Sequence, residues 1–366
     1  MANNLKEYFP LIRERNEVLA DINSNPFLKK EFDGWKQEQQ DEFLDFCTGV
    51  KGVKILNDSF FKEIMNPEYT PERLNDFLST VLKQKVKVLH VLPNDSVRLA
   101  SEGSLLITDL IVGLEDGSIV NVEVQRIGYK FPGERAACYS ADMLLRQYKR
   151  VRESKGKKFT YKNIKPVYTI VLYEKSPSEF HKCKEEYLHY VEAKADTELK
   201  INLLQKFIFI PLDIFQKTRQ NKGISNKVDA WLTFFSTDKP EEIIELISAY
   251  PEFKPMYDNI YELCRNVERV ISMFSKELQI LDENTAQYMM DEMQEEIDEL
   301  QGRVDEQQGK IDEQRGKINE QQGKINEQQG KINEQQDKID GLQETIDEKD
   351  KLIQQLQEQL SAAKTS

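Results

Sequence analysis

Two carboxylates, Asp109 and Glu123, flank the tripeptide Glu115-Asp116-Gly117, and Gln125 follows the second acid by two positions. The segments around them, SLLITDLIVGL and SIVNVEVQ, are short, β-branched and bounded by turn residues, which predicts two strands of a hairpin. If the tripeptide forms a type I turn with Gly117 in the left-handed position of a bulge, Leu114 faces Ser118 and Asp109 faces Glu123. Facing residues share a sheet surface with Cβ atoms ~4.5–5.5 Å apart, close enough for two carboxylates to hold one cation. A two-residue Asp-Gly turn would instead set Asp109 against Val124, on the wrong surface. The first register gathers Leu110, Val112, Val120, Val122 and Val124 on one apolar face, with Asn121, Glu123 and Gln125 joining Asp109 on the other. An acidic pair within apolar strands is costly unless compensated. A hard divalent ion such as Mg²⁺, which prefers carboxylate oxygens and water, would compensate it. The alternative is a surface hairpin whose polar face is merely solvated.

The elements that must position this hairpin follow from the surrounding pattern. VYTIVLY and KFIFIPLD also read as strands, and a helical stretch from about Gly133 to Arg152 separates them from the hairpin. Residues 1–56 read mostly helical, with WKQEQQDEFLDFC the best stretch. Helical spacing returns from Lys227 to Tyr288, where Thr237 or Asp238 offers an N-cap before Pro240. The expected fold is a mixed α/β (α+β) core with helical flanks, followed by a long C-terminal coiled coil. The expected division is a helical region over 1–56, the core over 57–226, a second helical region over 227–290 and a heptad tail over 291–366.

That tail carries Ile297, Val304, Ile311, Ile318, Ile325, Ile332, Ile339, Ile346 and Ile353, one every seven residues. This is a heptad register with β-branched residues at position a. Position d is Leu300, five glutamines from Gln307 to Gln335, then Leu342, Lys349 and Leu356, so the seam is half polar. Gly302, Gly309, Gly316, Gly323 and Gly330 fall at the outward f position, each weakening the helix by ~1 kcal/mol relative to Ala. A homo-oligomer through this spacer is expected, the alternative being a frayed, solvated single helix.

The chain has 366 residues and a net charge of −13. From Asp291 onward there are 20 acidic and 10 basic residues, which leaves 44 acidic and 41 basic before it, a nearly balanced body. Within that body, Arg146 to Lys165 holds nine basic residues against Glu153, interleaved with Tyr148, Phe159 and Tyr161. Arg146, Lys149, Arg150, Arg152, Lys155, Lys157 and Lys158 are therefore candidates for a DNA-backbone surface, or alternatively an ordinary basic helix end. Arg135, Tyr139 and Arg146 share one side of the preceding helix, so Arg135 either reaches a phosphate or pairs with Glu134 or Asp142. Four scattered cysteines without a CxxC pair fit a reducing cytoplasm. No signal peptide or membrane-length apolar run is present, so a cytoplasmic protein is expected. His181, Cys183 and His189 lack a fourth ligand at zinc-finger spacing, no phosphate-binding GxxxxGK[ST] occurs, and without a GxSxG elbow acyl transfer is unsupported.

The run LLITDLIVGLEDGSIVNVEVQRIGYKFPGERAACYSADMLLRQYKRV resembles the PD-(D/E)XK nuclease superfamily, specifically the PD-(D/E)XK nuclease family transposases related to recombination-promoting nucleases. The similarity extends through DSFFKEIMNPEYTPERLNDFLSTVL, VLPND, SPSEFH and FIPLDIF to the MYDNIYELC region, and leaves the heptads outside. The resemblance implies a restriction-endonuclease-like core with Asp109 as the motif aspartate and Glu123 as the second acid. Gln125 then occupies the lysine position of the signature, where an amide can orient a water or phosphate oxygen but supplies no positive charge. It further implies a Mg²⁺- or Mn²⁺-dependent DNA endonuclease, with Glu63 a candidate for the upstream acid that the superfamily often draws from its first helix. The rival is a catalytically decayed DNA-binding or oligomeric scaffold on the same fold.

Overall fold

The computed structural model describes residues 5–92, 110–128, 131–219 and 222–364. Five helices come first: α1 (Arg15–Ser24), α2 (Pro26–Asp33), α3 (Gln37–Cys47), α4 (Asp58–Ile64) and α5 (Pro71–Leu82). Strands β1 (Val88–Val91), β2 (Leu110–Leu114) and β3 (Ile119–Ile127) precede α6 (Pro132–Lys155). Then come β4 (Val167–Lys175), β5 (His189–Glu192), β6 (Gln205–Pro211), α7 (Leu212–Arg219), α8 (Lys227–Ser236), α9 (Pro240–Ala249), α10 (Lys254–Cys264) and α11 (Val267–Lys364). The mixed α/β core with helical flanks is therefore observed.

The strands form one sheet in the order β1-β2-β3-β4-β6-β5. β2 and β3 are antiparallel, β3, β4 and β6 run parallel, and the edge strands β1 and β5 are antiparallel to their neighbours. The hairpin takes the three-residue turn: Leu110 pairs with Val122 and Val112 with Val120. The Gly117 amide returns to the Leu114 carbonyl at 3.0 Å, and Gly117 holds φ +91°, a conformation that favours glycine. The edge strands were not expected from the sequence. Each is four residues long, too short to establish an alternating pattern.

Both faces of the sheet are covered, which explains why its parallel strands read as nearly unbroken apolar runs. Val112, Val120, Val122, Ile170, Leu172, Ile208 and Ile210 join one large core with the N- and C-terminal helices, extending from Leu5 to Phe274. On the opposite face Ile111, Ile119 and Val167 meet Met143 of α6, and Val171, Tyr173 and Phe209 meet Ala136. Around Pro240 the cap differs from expectation: Lys239 is the N-cap, and the Thr237 hydroxyl accepts the Lys239 amide at 3.2 Å.

Arg126 joins the sheet to its helical support. It donates to Glu174 of β4 at 2.6 Å and to Glu277 of α11 at 3.0 Å, and Glu277 also accepts the backbone amide of Asp58 at 2.8 Å. Glu277 is 1% exposed, and burial pushes its carboxyl up despite the guanidinium.

Residues 1–292 and 293–366 form two separate compact units. Within the second, Glu306–Lys310, Glu313–Lys317, Glu320–Lys324, Glu327–Lys331 and Glu334–Lys338 pair at i,i+4 along the helix surface. The isoleucines at position a all stay exposed in the single chain.

Replacing Glu277 by alanine leaves Arg126 with one partner and the Asp58 amide without its acceptor. Glu277→Ala is expected to lower stability by about 3–5 kcal/mol, the range for breaking a buried ion pair, read as a lowered urea midpoint with an unchanged m-value.

Candidate active site

Alternation along β3 sends Val120, Val122 and Val124 toward the large core, while Asn121, Glu123 and Gln125 face α6. The expected facing of Asn121, Glu123 and Gln125 is observed, but the alternative of a solvated outer surface is not. Helix α6 returns across that face between β3 and β4, and Glu123 is left only 3% exposed. Asp109 lies outside the described residues.

The Glu123 carboxylate is held by its own strand. Asn121 Nδ2 donates to Glu123 Oε1 at 2.8 Å, both groups being buried. Only the amide nitrogen can serve here, because an ionised carboxylate accepts and cannot donate. The Asn121 Oδ1 atom is buried without a hydrogen-bond partner, as is the Oγ1 of Thr169, the residue in register with Asn121 on β4. Two adjacent acceptor-capable oxygens in that position are the kind of site a buried water fills.

Gln125 is buried and lies in register with Tyr173. Burial raises the Tyr173 phenol well above its usual pKa; Arg135 counters this while Glu179, Tyr139 and Glu123 reinforce it. Tyr173 packs against Ala136 of α6, so the first turn of that helix neighbours the Gln125–Tyr173 pair. Tyr139 is buried nearby on the same helix.

The remaining basic candidates separate into two groups. Arg146 pairs with buried Asp142 at 2.8 Å, and Arg150 Nη1 lies 3.5 Å from His90 Nε2 above Gly113, whose missing side chain leaves room for both. These two are engaged within the fold. Lys149, Arg152, Lys155, Lys157 and Lys158 are exposed. They do not crowd Glu123. At ~1.5 Å rise per residue, the twenty positions from Arg135 to Lys155 span about 30 Å along α6.

Glu63, the candidate upstream acid, lies on α4. Its carboxylate binds Arg269 at 2.7 Å, tying α4 to α11. Among the described residues no group of three or more carboxylate, imidazole or thiolate side chains forms a metal cluster. His181 Nε2 lies 3.3 Å from Ser176 Oγ and 3.2 Å from Asp213 Oδ2, so one nitrogen meets both groups. A serine relay needs the two ring nitrogens to divide those roles.

Two positioning residues were not singled out from sequence. Gln147, fully buried, donates to the Gly117 carbonyl and accepts from the Lys165 amide, each at 3.0 Å. It clamps the hairpin turn to α6 and to the entry of β4. Asn121 had a legible signal in its alternation with Glu123, whereas Gln147 had none, since its partners are backbone atoms distant in sequence.

Converting Asn121 to aspartate sets a second carboxylate against Glu123, and such a pair must share a proton. A shared proton means that the folded state binds protons more tightly than the unfolded state. Its stability is retained at low pH and lost as pH rises. With EDTA present, Asn121→Asp is expected to lie close to wild type at about pH 5 and to lose ~1–3 kcal/mol by about pH 8. Thermal unfolding of both proteins across that range checks it.

Searches against curated proteins and solved structures returned no match. A family model described as PD-(D/E)XK nuclease family transposase matches residues 55–295, which includes the whole sheet and α6. With well over half of the chain matched, the hairpin, its buried acid and the covering helix belong to a protein of the PD-(D/E)XK nuclease family transposases.

Proposed function

We propose that this chain is a divalent-metal-dependent DNA endonuclease of mobile-element or recombination type, hydrolysing phosphodiester bonds. The observation that carries the reading is Glu123, a carboxylate buried in the sheet with amide neighbours on the same face. The donor chemistry fits a hard cation: Glu123 offers carboxylate oxygen and Gln125 amide oxygen, with no thiolate or imidazole between them on the strand. Asp109 is the expected second ligand, because the register pairing Leu110 with Val122 assigns Glu123 to the residue before Leu110 when extended by one position. Asp109 and Glu123 would hold Mg²⁺ or Mn²⁺, which would supply charge neutralisation and a more acidic bound water.

The chain's own residues do the rest. Asn121 fixes the rotation of the Glu123 carboxylate, and Gln125 orients a water or phosphate oxygen by hydrogen bonding. Because that amide brings no charge, Arg135 is assigned the cationic contact to the phosphate beside the scissile bond. The exposed lysines and Arg152 at the far end of α6 grip the DNA backbone away from the cut, with Arg146 and Arg150 bracing the helix that carries them.

Glu123→Ala and Asp109→Ala are each expected to reduce Mg²⁺-dependent nicking of supercoiled plasmid by more than about a hundredfold, the scale of losing one transition-state stabiliser. DNA affinity measured in EDTA should stay within about threefold of wild type, since no phosphate contact is removed. Gln125→Lys should keep or raise activity. Undiminished cleavage in both alanine variants would refute the site, and metal-independent cleavage by the wild type would refute the reaction class.

The exposed isoleucine stripe supports self-association of the tail into a dimer or trimer, with β-branched a positions favouring pairing and glutamine at d weakening it. Light scattering at micromolar concentration should give fewer chains per particle for the full-length Ile311→Lys, Ile325→Lys, Ile339→Lys triple variant than for wild type. Identical masses would remove the tail as the oligomerising element.

A further inference from the structure

Beyond the last turn of α6 the chain makes two single-turn 3₁₀ helices, Gly156–Lys158 and Tyr161–Asn163. Here Tyr148, Phe159 and Tyr161 form a three-ring cluster. The Tyr148 and Tyr161 rings are nearly parallel, 16° apart in plane with centroids at 6.2 Å, and Phe159 packs edge-on to each at 5.5 Å. The backbone beneath is fixed: Asn163 Oδ1 accepts the Thr160 amide at 2.8 Å and the Ile164 side chain is buried. Arg152 donates to the Tyr148 hydroxyl, with its guanidinium 5.6 Å from the ring centroid. Tyr161 nonetheless remains 74% exposed. Around it Arg152, Lys155, Lys157, Lys158 and Lys162 are exposed, with Glu153 the sole acid of the segment.

We propose that Tyr161 is a stacking platform for an unpaired base, so that the protein engages DNA carrying a single-stranded segment roughly six base pairs from the cleavage site. The inference rests on the DNA-binding part of the reading above. Lysines alone suffice to meet the phosphates of a duplex, whose bases are already stacked on one another and leave an aromatic ring nothing to cover. An unstacked base has a free face, and covering an aromatic ring with it is worth ~1–3 kcal/mol without demanding a particular sequence. The Tyr148 and Phe159 contacts hold the Tyr161 ring before binding, so less side-chain freedom is lost when a base arrives. The flanking cations take the phosphates on either side of that base. Because Tyr161 stacks on Tyr148, thirteen positions along α6 from Arg135, the platform lies about 20 Å along the helix from the Arg135 end, roughly six base pairs of B-form DNA, so a duplex at Glu123 and a frayed strand at Tyr161 can be held together.

The test uses full-length protein in EDTA, where binding is read without cleavage. Two probes are compared by fluorescence anisotropy: a blunt duplex of about 20 base pairs, and the same duplex with a five-nucleotide single-stranded extension containing 2-aminopurine. Wild type is expected to bind the extended probe about 5- to 150-fold more tightly, the factor corresponding to one stacked base, and to change the 2-aminopurine emission. Tyr161→Ala should lose both effects while keeping wild-type affinity for the blunt duplex, and Tyr161→Trp should restore them. Equal affinity of wild type for the two probes, or an equal preference in Tyr161→Ala, overturns the platform even if Mg²⁺-dependent cleavage is found. A Tyr161-dependent preference in a protein that never cuts would uphold the platform and refute the nuclease reading. Failure to bind either probe would refute both.

Discussion

A carboxylate sunk into a sheet and roofed by a helix is the arrangement around which this molecule is organised. Ionised Glu123 is costly to bury, and its strand neighbour Asn121 offsets part of that cost with a neutral amide donor. A lysine or arginine there would neutralise the acid and compete with any incoming cation. The amide stabilises the carboxylate without adding a charge of its own. Such a centre tolerates little movement, and much of the rest of the fold restricts how β3 can move.

The restrictions arrive from both faces of the strand. On the α6 side, Gln147 fastens the hairpin turn to the helix and to the start of β4, so the roof cannot slide along the sheet without breaking two buried hydrogen bonds. On the other side, Arg126 reaches Glu174 and Glu277 and thereby fixes β3 against α11 and the start of α4. Glu63, paired with Arg269, adds a second link between α4 and α11. The helical flanks act as the foundation of the polar strand face rather than as contributors to it. The basic residues divide by the side of α6 they occupy: Arg146 and Arg150 are engaged within the fold, whereas Lys149, Arg152 and Lys155 on the same helix, and Lys157 and Lys158 beyond it, are exposed.

The alternation of types along Ile119 to Gln125 made the hairpin legible, because a period of two assigns faces without any tertiary knowledge. Gly117 settled the turn, since its tripeptide allows a left-handed residue at the one place the bulge needs it. The covering of the polar face was not legible: the amphipathic period of α6 gives it a buried side but not the partner it is buried against. Edge strands β1 and β5 were missed because four residues carry too little pattern. The pairing of Glu63 with Arg269 was not legible for a different reason, as an acid on a short helix gives no sign of which distant arginine it will meet. Of the candidate site, Glu123 and Gln125 share one buried face of β3 as the alternation suggested, whereas the basic run falls at the far end of α6 from Arg135. The length of α6 sets the separation between its Arg135 end and the lysines, which no local pattern reveals.

The tail's surface bonds carry a consequence for how its length can change. Residues 316–322, 323–329 and 330–336 are identical copies of GKINEQQ. The glutamate of one copy pairs with the lysine of the next, as in Glu320–Lys324, and Gln322 donates to Asn326 across the same junction. Every copy thus supplies one donor and one acceptor to each of its junctions. Inserting or deleting a copy regenerates every junction, adds no net charge, and returns each isoleucine to the same side after two helical turns. The arm can lengthen or shorten in steps of about 10.5 Å with no other residue required to change. Unequal exchange between repeated stretches of its own coding DNA is therefore a mutation this protein can absorb, altering reach while leaving the buried acid and its supports untouched.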